Sequence, residues 1–258
     1  MKRPLVIAHR GNSASAPENT LAAIREAIEI GTDCVEVDIR CTRDGVPVLH
    51  HDPAVGRTAG GKGNVSDFTL EEIRTLDVGI WKGENYRGER IPTLEEALIE
   101  ARGKTKVVAE VKVDCAEQIV EVVRRLRLDS GLYFASFRHD YIQKLYRMLP
   151  MFDIVWVLTA PEWLGYNAAS AIETASESDI RVIAPPVPAL TQPSVSCAHE
   201  MGLGVWTYAC DSAEDFRKAL DATADGIVTG NPADLLALME AESSRVEDAT
   251  ASTAARPH

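Results

Sequence analysis

The chain has 258 residues, 45% hydrophobic and 26% charged, a composition that suits a soluble protein with a sizeable core. A formal net charge of -12 argues against nucleic acid and anionic membrane as partners, so an anionic ligand has to be met by local positive charge. Five cysteines, odd in number and with no CxxC, read as reduced thiols of a cytoplasmic protein rather than a disulfide framework.

After Lys2 and Arg3 the first apolar run stops at His9, too short for a secretory leader. No segment reaches the roughly 18 apolar residues of a membrane span. Leu5-Val6-Ile7-Ala8 has the pattern of a buried strand and delivers His9-Arg10-Gly11. Asn19 or Thr20 then caps a helix whose apolar stripe is Leu21, Ile24, Ala27 and Ile28, and Gly31 ends it. A second strand over about 34–39 follows at once, and strand–helix–strand with short links predicts a parallel βαβ unit.

Residues 44–90 break that rhythm. They hold Asp44-Gly45, the run Gly60-Gly61-Lys62-Gly63 and a capping box, Thr69-Leu70-Glu71-Glu72, and they read as an insertion on one rim of the sheet. Thr93-Leu94-Glu95-Glu96 opens the next helix with another capping box. Strands are predicted near 106–112, 131–136, 153–158, 180–184, 204–208 and 225–229, with helices between them. Asn231-Pro232 opens a last helix to about 241. The small, polar, alanine-rich residues 243–258 predict a disordered tail. One barrel domain over 1–242 accounts for the rest. About eight strands alternating with helices favour a TIM (β/α)8 barrel, and a doubly wound sheet is the alternative.

Three places put charge where a strand should be apolar. Glu36 and Asp38 share one strand face, about 6.6 Å apart, while Val35, Val37 and Ile39 take the other. Two like charges on a buried strand need a counter-charge; a solvated face or a basic partner would also supply it. Glu110 and Lys112 repeat the spacing near the end of a strand, where barrel enzymes build their sites. An all-oxygen set of Glu36, Asp38 and Glu110 suits a hard cation, Mg²⁺ or Ca²⁺, and Lys112 can face an anion bound to it. His9 and His51 both close apolar runs, and a histidine pair can divide acid and base roles. His50 reads as scaffold, and His139, His199 and His258 as incidental.

Taken together, the motifs resemble the glycerophosphodiester phosphodiesterase family. They are His9-Arg10-Gly11, Pro17-Glu18-Asn19-Thr20, Glu36-x-Asp38, Thr42-Arg43-Asp44-Gly45, His51-Asp52 and Arg57-Thr58. The series continues through Ile91-Pro92-Thr93-Leu94-Glu95-Glu96, Glu110-x-Lys112 and Ser136-Phe137. Val205-Trp206-Thr207 and Asp225-Gly226-Ile227-Val228-Thr229 close it.

The resemblance implies a TIM barrel with a small insertion after the second strand. It also implies a divalent metal on Glu36, Asp38 and Glu110, with His9 and His51 as acid and base. Arg10 and Lys112 would hold phosphate oxygens, with Trp206 at the substrate rim. The expected reaction is hydrolysis of a small glycerophosphodiester to glycerol phosphate and an alcohol, in some members through a cyclic phosphate. Tyr208-Ala209 and Gly230-Asn231-Pro232 depart from the family pattern on the substrate side. Two alternatives remain: a lysophospholipase D or sphingomyelinase-D-like enzyme on the same fold, and a non-catalytic phosphoester-binding protein.

Overall fold

A computed structural model describes residues 3–164 and 166–254 of the chain. The first strands are β1 (Leu5–His9), β2 (Cys34–Cys41), β3 (Pro47–Leu49) and β4 (Lys106–Val111). They are followed by β5 (Leu132–Ser136), β6 (Asp153–Val157), β7 (Val182–Ala184), β8 (Gly204–Thr207) and β9 (Gly226–Thr229). All but β3 pair in parallel, in the order β1-β2-β4-β5-β6-β7-β8-β9, and β1 pairs with both β2 and β9. The sheet therefore closes on itself as a TIM barrel, which a doubly wound sheet cannot do. The ninth strand, β3, lies outside the ring and runs antiparallel to the end of β2, with Cys41 opposite Pro47.

The links follow from local chemistry. Thr20 caps the helix Leu21–Ile30, accepting the Ala23 N–H, and Gly31 closes it in the left-handed conformation. The expected capping boxes at Thr69–Glu72 and Thr93–Glu96 both form. Outward-facing Val6, Val35, Val37, Ile39 and Val107 join the helices in the main core. Inward-facing Ile7, Cys34, Val108, Ala135, Val155 and Val228 fill the barrel. This alternation is the two-residue period of a strand, and it sends Glu36, Asp38 and Glu110 inward as well.

The break in rhythm over about 44–90 is part ordered and part loop. Beside β3 it carries short helices at Gly56–Ala59 and Leu70–Ile73. Val48, Val55, Val65, Ile73, Val78 and Ile91 form a small core of its own. The last helix, Pro232–Ala254, runs past the expected end near 241 and into the stretch expected to be disordered. Residues 255–258 of the expected tail, His258 among them, lie outside the described residues.

Candidate active site

Register decides which charges meet. His9 pairs with Glu36 across β1 and β2, and Asp38 pairs with Glu110 across β2 and β4. One ligand oxygen from each of Glu36, Asp38 and Glu110 lies within 4.8 Å of the others, and all three residues are buried. Two cationic side chains reach the same spot. Lys112 Nζ is 2.5 Å from Glu110 Oε1 and 3.0 Å from Asp38 Oδ1. Arg10 Nε is 3.3 Å from Asp38 Oδ2, and its backbone N–H donates to Glu36 Oε2 at 2.9 Å. Arg10 has φ 59°, a left-handed turn that starts the loop at the end of β1 and aims the backbone N–H at Glu36.

Three carboxylates against two cations leave one negative charge in a desolvated mouth. A divalent cation and a phosphodiester monoanion together would bring the sum to zero. The fit to a metal has a second sign: Glu36 Oε1 is buried without a partner, and Asp38 Oδ1 has the Lys112 ammonium alone beside it. Buried acceptors of this kind are rare unless something else satisfies them. Burial, followed by repulsion from Asp38 and Glu110, pushes the Glu36 carboxyl well above its ordinary range. Burial also raises Glu110. For Asp38 the burial effect is outweighed by Lys112 and Arg10, which hold its pKa at about 2. The donor set is all oxygen, three carboxylates at separations one ion can span, and it fits Mg²⁺ or Ca²⁺.

The histidines flank this cluster. His9 Nε2 is 4.0 Å from Glu36 Oε2, and burial, with Arg10 alongside, lowers its pKa to about 4, leaving a neutral ring at pH 7. His51 Nδ1 is 2.7 Å from Asp52 Oδ1. Burial would raise the Asp52 pKa, but Arg57 and His51 outweigh it and hold it at about 2. An ionised carboxylate only accepts hydrogen bonds, so His51 Nδ1 carries the proton and Nε2 is the nitrogen left for chemistry. His50 is scaffold: Nδ1 is 2.8 Å from the Asp52 carbonyl and Nε2 is 3.1 Å from Thr58 Oγ1.

The structure thus brings together His9, Arg10, Glu36, Asp38, Glu110 and Lys112, with His51 beside them. It does not bring Trp206 there. Its indole is buried inside the barrel, edge-on to Tyr133 at 5.2 Å and over Gly226. The rim on that strand end belongs to Tyr208, which is 5.8 Å edge-on to Phe137, and the Phe137 ring lies 5.7 Å from Lys112 Nζ.

Sequence reasoning missed Asn19 as a site residue. It read Asn19 only as a possible helix cap, whereas Asn19 hydrogen-bonds Asp38 twice. Its place in Pro17-Glu18-Asn19-Thr20 was the available signal.

The family model for the glycerophosphoryl diester phosphodiesterase family matches residues 9–234. The chain belongs to that family. A glycerophosphodiester phosphodiesterase of Caldanaerobacter subterraneus is 33% identical over 245 residues, 92% of this chain and 98% of the relative. One from Bacillus subtilis is 28% identical over 253 residues, 89% of this chain and 84% of the relative. Among solved structures, an Oleispira antarctica phosphodiesterase in complex with the product sn-glycerol-3-phosphate is similar at TM-score 0.85 and 27% identity. That match covers 92% of this chain and 97% of the other. The glycerophosphodiester phosphodiesterase of Agrobacterium tumefaciens is similar at TM-score 0.78 and 26% identity, covering 91% and 100%. As a family member the chain is a phosphodiesterase, a hydrolase, and the non-catalytic alternative falls. Among the described residues no helix is long and apolar enough to cross a membrane.

Proposed function

We propose that this enzyme hydrolyses small glycerophosphodiesters to glycerol phosphate and an alcohol at the Glu36–Asp38–Glu110 mouth. The observation that carries this reading is Glu36 Oε1, buried with no partner, beside Asp38 and Glu110 and set among Arg10, Lys112 and two histidines. The sn-glycerol-3-phosphate held by the Oleispira antarctica phosphodiesterase supports the substrate class. Glu36, Asp38 and Glu110 would hold a divalent cation, which when bound supplies Lewis-acid stabilisation of charge on the phosphoryl oxygens.

Arg10 and Lys112 bind the non-bridging oxygens and meet the negative charge that grows on them during attack. They are already fixed by carboxylates before substrate arrives, so little reorganisation is left for the reaction. The two imidazoles divide the proton work, one accepting a proton from the nucleophile and the other giving one to the departing alcohol. The test is steady-state turnover of glycerophosphocholine with detection of glycerol phosphate. Activity should vanish in EDTA and return with Mg²⁺ or Ca²⁺. Full activity in chelator would remove the metal from the account.

A second reading, a lysophospholipase D or a sphingomyelinase-D-like lyase, draws on the apolar side of the mouth. Phe137, more than a third exposed, stands beside Lys112, with Tyr208 behind it. Faster turnover of lysophosphatidylcholine than of glycerophosphocholine would favour it, and a cyclic phosphate as the final product would mark the lyase.

A further inference from the structure

Arg10 and His51 stand on separate loops, one after β1 and the other after β3, and no strand register links the two side chains. A chain of hydrogen bonds does. Glu18 Oε1 accepts from Arg10 Nη1 at 2.9 Å and from Arg57 Nη2 at 2.7 Å, and Glu18 Oε2 accepts from Arg57 Nη1 at 2.7 Å. The remaining nitrogen of that guanidinium, Arg57 Nε, donates to Asp52 Oδ2 at 2.6 Å. Asp52 Oδ1 then accepts a hydrogen bond from His51 Nδ1 at 2.7 Å.

We propose that Glu18 and Arg57 are positioning residues that carry the location of Arg10 across to His51. The proposal rests on the reading of Arg10 as a phosphate ligand and of His51 as an acid–base group. Arg10 is the fixed end of the strut, since Glu36 holds its backbone and Asp38 lies against its Nε independently of Glu18. His51 is the end that needs fixing. Its loop belongs to the insertion, and its proton transfer works only at the right distance from the phosphorus that Arg10 has bound. Arg57 is suited to the task because a planar guanidinium addresses two carboxylates at fixed angles, with all three nitrogens in use. A lysine ammonium keeps the charge but cannot span both. The ordered insertion thereby acquires a purpose in the reaction: its short helix Gly56–Ala59 carries the residue that registers one loop of the mouth against the other.

The test is a double-mutant cycle on the full chain with Mg²⁺ and glycerophosphocholine. Arg57→Gln should lower kcat by up to about 10²-fold, the scale of an ångström-sized misplacement, with KM little changed. Arg57→Lys should fail to restore it. Made on top of His51→Ala, Arg57→Gln should leave the residual kcat where His51→Ala alone put it.

An equal loss in both backgrounds would make the network a fold staple and overturn the proposal, as would rescue by lysine. Should Arg57→Gln fail to fold in a thermal melt, the isosteric Glu18→Gln takes its place in the same cycle. Impaired His51→Ala alongside unimpaired Arg57 variants would sink the strut alone. Wild-type turnover by His51→Ala would sink the acid–base reading and the strut with it.

Discussion

Asn19 and Asp38 hold each other twice. The Asn19 side-chain amide donates to Asp38 Oδ2 at 2.7 Å, and its carbonyl accepts the Asp38 backbone N–H at 3.0 Å. Asn19 can do this because it sits at φ 57°, a left-handed conformation that asparagine tolerates better than most residues. With Oδ2 engaged by Asn19 and Arg10, Oδ1 is the oxygen left to face Lys112.

Outer-shell partners of metal-binding groups usually matter by about 10–100-fold. Asn19→Ala should therefore raise the Mg²⁺ concentration for half-maximal activity by about that factor, with a smaller change in kcat at saturating metal. A metal titration of turnover checks it. An unchanged half-maximal concentration would show that Asp38 needs no such orientation.

The histidines should separate from the binding groups in kinetics. His9→Ala and His51→Ala should each reduce kcat by roughly 10²–10⁴, the usual contribution of general acid or base catalysis. Lys112→Ala should also raise KM, because it removes a cation that is 13% exposed and already aimed into the mouth. Turnover near wild type in both histidine variants would refute the assignment of either ring to proton transfer.

Most of this site was legible because strands have a strict two-residue period. Once Val35, Val37 and Ile39 are assigned outward, Glu36 and Asp38 have nowhere to go but in, and the same reasoning applies to Glu110. The closure of the barrel was legible from the count and order of strands. What the sequence did not disclose lies in contacts between loops. Nothing in the spacing of Glu18, Asp52 and Arg57 says that one guanidinium joins the two acids, since they are brought together by the path of the insertion. Trp206 erred in the opposite direction. Its motif pointed to the rim, but Trp206 and Tyr208 both face inward at different depths, and Tyr208 is the one beside Phe137.

Asp52 should leave a mark on acid stability. Its carboxyl pKa is lowered in the folded chain to about 2 from an ordinary 3.8, so folding favours the ionised form. A lowered folded-state pKa contributes stability that is present above the unfolded value and lost as pH falls toward the folded one. The window is therefore about pH 4 down to about 2. Over that range the wild-type chain should lose stability more steeply than Asp52→Asn, which has no proton to take up at that position. Denaturant unfolding of both chains at pH 5, 4, 3 and 2.5 measures the difference, and parallel curves would mean that the His51–Asp52–Arg57 contacts add nothing to the fold.

The barrel floor gives a test independent of catalysis. Gly226 pairs with Trp206 across β8 and β9, and a Cβ added at Gly226 would lie 2.6 Å from Trp206 Cδ1 and 2.8 Å from Cγ. The indole cannot easily retreat, because its other neighbour is the Tyr133 ring at 5.2 Å and it is only 4% exposed. Overpacking of a filled interior costs typically about 1–3 kcal/mol. Gly226→Ala should be destabilised by that order, and Gly226→Ala combined with Trp206→Ala, which removes the clashing ring, should lose less than the two single changes added together. Because Trp206 packs beneath the mouth, the KM for glycerophosphocholine should stay close to wild type in Trp206→Phe at temperatures where the chain is folded. A large rise in KM without loss of stability would return Trp206 to the substrate site.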